Sequence, residues 1–148
     1  MEHIVECFPK VPSPCHCLNI RRASQAVTQF YENILAPSGL KLTQYSLLRH
    51  LEMAEPVVTI SELANFMRID RTTLNRKMKP LIEAGLIEVA TGKDPRCRQI
   101  MLTDAGRSAL SAALKLWDNA QTLLQEYLGE TELAQFKHII AKLEALTP

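Results

Sequence analysis

Apolar residues recur every three or four positions along most of this chain, and at every second position over one short stretch only. Residues 1–12 hold two prolines and show neither period, which predicts an irregular N-terminal arm over 1–13. Ser13 followed by Pro14 is a helix-start signal: a capping hydroxyl, then a residue whose missing N–H costs nothing at the first helical position. From there Cys17, Ile20, Ala23, Val27, Phe30, Tyr31 and Ile34 form one apolar stripe, which predicts a helix over about 14–35. Pro37, Ser38 and Gly39 end it. Thr43 can cap a second helix with Tyr45, Leu48 and Leu51 inward, closed by Pro56. Thr59 or Ser61 opens a short third, with Leu63, Ala64 and Met67 inward. Asp70 reads as the cap of a fourth, in which Leu74, Met78, Leu81 and Ile82 face the core and Gly85 is the left-handed stop.

The period then changes to two. The runs 86–91 (LIEVAT) and 97–103 (CRQIMLT) alternate around GKDPR at 92–96, which predicts a β-hairpin. Thr103 caps a long helix over about 104–128, with Leu110, Ala113, Trp117, Ala120, Leu124 and Tyr127 on one side. Gly129 stops it. Thr131 can cap a last helix carrying Leu133, Phe136, Ile140 and Leu143. The order helix, helix, helix–turn–helix, hairpin, long helix, helix predicts a mainly α (α+β) fold. Its core is a winged helix-turn-helix domain over 36–103, and helices at 14–35 and 104–148 form a dimerisation region.

Composition supports a packed core of aliphatic side chains, since 47% of the residues are hydrophobic and only 5% aromatic. No apolar run has the length of a membrane span, and the N-terminus lacks a basic-then-apolar leader pattern, so a cytoplasmic protein without membrane contact is expected. A net charge of +1 says little. Its distribution says more: residues 60–103 carry eight bases against five acids, whereas 1–59 are balanced and 104–148 are acidic. The excess falls on the fourth helix and the hairpin.

That helix presents Arg71, Thr72, Thr73, Asn75, Arg76 and Lys79 outward, with Lys77 at its flank. Arg and Asn can each make paired hydrogen bonds to base edges in the major groove, while Thr and Lys more often hold phosphates. The hairpin tip adds Lys93 and Arg96, with Arg98 on the return strand, and a thin basic tip fits a minor groove. Pro80, inside the helix, predicts a kink or an irregular last turn beyond the reading half.

These residues resemble the MarR family of transcriptional regulators. The resemblance lies in Glu62–Leu63–Ala64, the Thr-rich helix, Gly85–Leu86–Ile87 before the wing, Asp94 and Arg96 at its tip, and Leu102, Thr103 and Gly106 at the start of the long helix. It covers the chain from about residue 14 to the end. It implies a sequence-specific DNA-binding regulator, most often a repressor. The regulator would be a homodimer on a pseudo-palindromic operator, with Arg96 in the minor groove and Asp94 orienting it. The apolar stripes of the first and last two helices independently suggest pairing, since one wing domain cannot cover them all. Release of DNA would follow from a small lipophilic or aromatic effector between the dimer helices and the reading domain, for which Phe30, Tyr31, Tyr45 and His50 are plausible linings and equally plausible core.

Release by thiol oxidation is the alternative trigger. Three readings stand for Cys15 and Cys17, which flank His16: a metal site, a redox thiol, or ordinary side chains. If all three residues are helical, side chains two apart point about 200° from each other, which disfavours a shared chelate. A peroxide-sensing branch of the family uses a cysteine near the start of the first helix hydrogen-bonded to tyrosine, and Cys17 with Tyr31 is similar. Leu42, however, stands where that branch usually has a further tyrosine. His3, His16, His50 and His138 lie on separate segments, and no cofactor or metal site is expected. A thiol redox enzyme using Cys15 and Cys17 and a helical adaptor without DNA affinity remain as alternatives. No nucleophile elbow, phosphate loop or CxxC pair supports an enzyme, and an adaptor leaves the Thr/Asn/Arg helix face unexplained.

Overall fold

The computed structural model describes residues 9–54, 58–90 and 97–148. Among the described residues, six α-helices and three short strands follow in the expected order. Helix α1 (His16–Leu35) runs into a 3-10 turn (Ala36–Ser38) and is followed by α2 (Leu42–Met53). Strand β1 (Val58–Thr59) leads directly into α3 (Ile60–Met67), and α4 is Arg71–Glu83. Strands β2 (Ile87–Ala90) and β3 (Gln99–Leu102) form the hairpin, before α5 (Asp104–Leu128) and α6 (Glu130–Glu144).

The sheet order is β1-β3-β2, antiparallel throughout, with Val58 opposite Ile100 and Ile87 opposite Leu102. The alternating register buries Ile87, Ile100 and Leu102 on one face, against the helices. Leu47, Leu48 and Leu51 of α2, Leu63 of α3, Leu74, Met78 and Leu81 of α4, and Leu110 and Ala113 of α5 complete one contiguous aliphatic core. Helix α1 packs against α5, and α6 packs against α5.

Several expected details differ. Strand β1 was not foreseen, because two residues are too few to show a period. Helix α2 starts one residue before Thr43: Lys41 is its cap, and the Lys41 N–H donates to Gln44 Oε1 at 3.0 Å. Thr131 lies inside α6. Gly129, at φ 80° and ψ 161°, ends α5 and caps α6 at once, and Glu130 and Glu132 place negative charge at the positive end of α6. Ile82 is not core but 43% exposed. Pro80 sits in α4 without an irregular final turn, since the Ala84 N–H still bonds to the Pro80 carbonyl at 3.0 Å. The outer stripes are open to solvent in the single chain, with Ile20 and Val27 on α1 and Phe136 and Ile139 on α6 all exposed. Among the described residues no helix is long and apolar enough to cross a membrane.

Candidate nucleic-acid interface

Helix α4 is set by its ends. Helix α3 is capped by Thr59, whose hydroxyl accepts the Glu62 N–H at 3.2 Å. It stops at Arg68, a left-handed residue (φ 57°) that turns the chain toward Asp70. Asp70 then caps α4 twice over: Oδ1 accepts the Thr73 N–H and Oδ2 accepts the Thr73 hydroxyl, both at 2.7 Å. The Thr73 N–H, and after it the Thr73 hydroxyl, hold the Asp70 carboxyl below its ordinary range. Thr73 therefore serves the cap; its hydroxyl proton is committed to Asp70 and the side chain is half-buried.

Leu74, Met78 and Leu81 lock the inner side of α4 into the core. That leaves Arg71, Thr72, Asn75, Arg76 and Lys79 exposed. At 100° per residue, Thr72, Asn75, Arg76 and Lys79 fall within an arc of about 100° on the face opposite the core. One side of one short helix thus carries two donors able to pair with base edges and flanking groups for phosphate. This is the arrangement a major-groove probe requires.

The wing is fastened to this helix by backbone. Gly85, at φ 73°, closes α4 through its N–H to the Ile82 carbonyl at 3.0 Å, and the Leu86 N–H bonds to the Leu81 carbonyl at 2.9 Å. Thr103 reaches across: its hydroxyl donates to the Gly85 carbonyl at 2.6 Å and its N–H to the Leu86 carbonyl at 3.1 Å. Gly106 makes the approach possible, because a Cβ there would stand 2.0 Å from the Leu86 carbonyl oxygen. The Gly-Leu-Ile and Leu-Thr-x-x-Gly runs are therefore two halves of one clasp. Arg98 is exposed at the base of the wing, and its carbonyl accepts the Ile60 N–H at 3.2 Å. Together with Asn75, Lys79, Ile82, Glu83 and Val89 it borders an open depression of about 480 Å³ between α4 and the wing. Glu83 was not singled out from the sequence, and Ile82 was expected in the core because its spacing concealed its exposure. The expected tip contacts Lys93, Asp94 and Arg96 lie outside the described residues.

The thiols lie at the far end of α1. Cys15 is the helix cap, in an extended conformation (φ −88°, ψ 111°), with Sγ accepting the Leu18 N–H at 3.4 Å. Cys17 is exposed and helical. Tyr31, fourteen residues on, is about 21 Å away along the helix axis. Its hydroxyl bonds instead to Gln121 Oε1 on α5, and burial raises its pKa. Within one chain, Cys17 and Tyr31 are thus not brought together. Among the described residues no three His, Cys, Asp or Glu side chains are grouped to hold a metal.

The four aromatic and histidine candidates for an effector lining fall into separate contacts. Phe30 meets Tyr31 edge-on at 5.7 Å, Tyr45 stacks on Trp117 at 5.8 Å, and His50 meets Phe66 edge-on at 5.0 Å. Tyr45 is 3% exposed, and burial pushes its phenol up to about 12. Its hydroxyl meets no hydrogen-bond partner among the described residues.

Comparison with known proteins agrees with this geometry. The model of the MarR family matches residues 38–96. A crystal structure of the Mycobacterium tuberculosis transcriptional regulator MosR in complex with DNA is 37% identical, with a TM-score of 0.77, over 87% of this chain and 92% of that one. The transcriptional repressor CouR bound to p-coumaroyl-CoA is 27% identical, with a TM-score of 0.75, over 88% of this chain and 91% of that one. The HTH-type transcriptional regulator YwoH of Bacillus subtilis is 26% identical over 81% of this chain and 87% of its own length.

Proposed function

Since this chain belongs to the MarR family of winged helix-turn-helix, DNA-binding transcription regulators, we propose that it is a cytoplasmic repressor acting as a homodimer on a pseudo-palindromic operator. The observation that carries this reading is the outward arc of α4. Thr72, Asn75, Arg76 and Lys79 are free of core packing on a helix whose other side is fixed by Leu74, Met78 and Leu81. Arg71 adds a phosphate contact at the helix start, and Lys93, Asp94, Arg96 and Arg98 carry the wing into the flanking minor groove. Helices α1, α5 and α6 form the dimerisation region: exposed Ile20, Val27, Phe136 and Ile139 give each chain an apolar surface for its partner. Two-fold pairing would set the reading helices about 34 Å apart, one turn of DNA.

Affinity is set by a signal that changes this spacing, either a small lipophilic or aromatic molecule or oxidation of the thiols on α1. Such a signal acts only if it favours one spacing over the other. That CouR is bound to p-coumaroyl-CoA in its solved structure supports an organic effector, and the exposure of Cys15 and Cys17 supports oxidation.

The test is selection of bound sites from random duplexes, followed by titration of the recovered site. Two half-sites about 10 base pairs apart are expected, and Arg96→Ala should weaken binding by about 1–3 kcal/mol. A chain that stays single and recovers no common site at low salt would refute the proposal, and unchanged binding by Arg96→Ala would remove the wing from it.

A further inference from the structure

We propose that Arg68, in the turn between α3 and α4, is a further contact to the DNA backbone, and that Glu144, the last residue of α6, holds its guanidinium until a phosphate takes over. The inference rests on the regulator reading above. It adds a contact that neither the reading arc nor the wing contains, and an internal competitor for it.

The pair joins two distant parts of the chain. Arg68 Nη1 donates to Glu144 Oε2 at 2.6 Å, across 76 positions of sequence. Helix α6 packs on α5, and its end meets the reading motif at this turn. Each partner stands where its own element disfavours it. Among the described residues Arg68 is the one non-glycine with a positive φ, at φ 57° and ψ 43°. A side chain makes that conformation costlier than it is for glycine. The backbone is pinned there: the Arg68 N–H bonds to the Asn65 carbonyl at 3.2 Å, and the Ile69 N–H to the Ala64 carbonyl at 3.0 Å. Glu144 puts a negative charge in the last turn of a helix, beside carbonyl groups that favour a cation. Local propensity would choose glycine or asparagine at 68 and a base at 144. The two charges are explained by what they meet outside their own elements.

The same position suits a phosphate. Arg68 stands two residues before the Asp70 cap and three before Arg71, at the end of α4 that leads into the groove. Three residues span at most about 11 Å, so both guanidinium groups belong to one edge of the reading surface. The Arg68 side chain is 79% exposed, and a phosphate reaches it without any movement of the core. The bond to Glu144 engages Nη1, whereas a guanidinium carries five N–H donors in a planar fork. A phosphate can therefore dock before the carboxylate lets go.

Charge decides which partner wins. In the DNA-free chain Arg68 and Arg71 are balanced by Asp70 and Glu144, so these four groups are neutral together. With Glu144 displaced, the edge becomes cationic. An exposed ion pair amounts to no more than about fivefold in an equilibrium constant. Duplex DNA presents one negative charge per about 1.7 Å of axis, and a row of phosphates outcompetes one carboxylate. Because Glu144 rides on α6, a displacement of that helix from the turn would release Arg68 and raise affinity, so the exchange ties the outer helices to the reading head.

The experiment titrates the operator recovered by site selection with four full-length chains: the parent, Glu144→Gln, Arg68→Gly, and the double variant, each over a series of salt concentrations. Glycine suits the left-handed turn, so Arg68→Gly keeps the fold while removing the charge. Glu144→Gln should bind about two- to fivefold tighter than the parent at low salt. Arg68→Gly should bind about three- to eightfold more weakly at 0.1 M salt, with the salt slope flattened by about one unit. Adding Glu144→Gln to Arg68→Gly should change nothing further, as expected of two groups that act through each other. Equal or weaker binding by Glu144→Gln, a parental slope in Arg68→Gly, or a Glu144→Gln gain that persists without Arg68 would each overturn the proposal. Those results leave binding by the parent, and the regulator reading, intact. A parent that binds no duplex removes that reading and this proposal together.

Discussion

Replacing Gly106 by alanine tests the clasp that carries the wing. In an open helix this change would help, by about 1 kcal/mol of helix propensity. Here the new Cβ would lie 2.0 Å from the Leu86 carbonyl oxygen, 3.0 Å from its carbon and 3.3 Å from Leu102 Cδ2. Such contacts do not fall below 3.0 Å, so helix and backbone must part by about 1 Å. The Leu86 carbonyl cannot give way alone, because it accepts the Thr103 N–H, and its neighbour Gly85 accepts the Thr103 hydroxyl. Overpacking of this kind costs about 1–3 kcal/mol, and each strained or lost hydrogen bond adds about 1 kcal/mol. With the propensity gain subtracted, the variant should lose about 2 kcal/mol, a fall in Tm of about 4–8 °C for a chain of this size. The assay is thermal unfolding followed by the fluorescence of Trp117, the only tryptophan, at matched protein concentration because a dimer's Tm depends on it. Operator affinity, measured well below the transition, should fall as well, since the strained bonds root the wing. A Tm equal to or above that of the parent would show that the helix and the chain at 85–86 are not pressed together, and the clasp would be wrong.

Other outcomes follow from the same geometry. Arg76→Ala, at one edge of the reading arc, should cost about 1–3 kcal/mol of operator binding and relax preference at one base position; Lys79→Ala should weaken all sequences alike and flatten the salt slope by about one unit. Tyr45→Phe removes a buried hydroxyl without a described partner, so stability should hold or rise. The parent phenol is raised from 10.0 to about 12, so its share of stability is whole below pH 10 and is lost as pH climbs toward 12; the variant should lack that alkaline limb in a urea series. The Asp70 carboxyl should titrate below its ordinary value of 3.8, and Thr73→Val should raise the midpoint only part of the way, because the stronger backbone donor remains. Its stabilising effect is present above the ordinary value and fades as pH falls through the lowered one. A parent midpoint at or above 3.8 by NMR would remove the double cap.

Much of the fold was legible because its punctuation is chemical. Asp70, Gly85, Thr103 and Gly129 each do in the structure what their side chains, or lack of one, suggest. The change of period from 3.6 to two located β2 and β3. What escaped is what has no local signal. Strand β1 is too short to alternate. Arg68 adopts a left-handed turn that no residue type announces. Ile82 shares the spacing of core residues yet lies on the wing side of α4. At the candidate interface the residue set was readable, but not that the Thr73 hydroxyl belongs to Asp70, since a threonine in a first turn can face either way. Of the thiols, sequence showed the pair but not that the helix begins between them, so an angular argument built on one continuous helix did not apply.

Thr59 fills two posts at once: it is the last residue of β1, opposite Gln99, and the cap of α3. Strand β1 therefore passes to the first helix of the reading motif with no spare residue, and the Ile60 N–H is already bound to the Arg98 carbonyl. An insertion or deletion at that junction would shift every side chain of α3 by a third of a turn or tear β1 from the sheet. The stretch from 58 to 70 must therefore keep its residue count if α4 is to stay in place against the sheet.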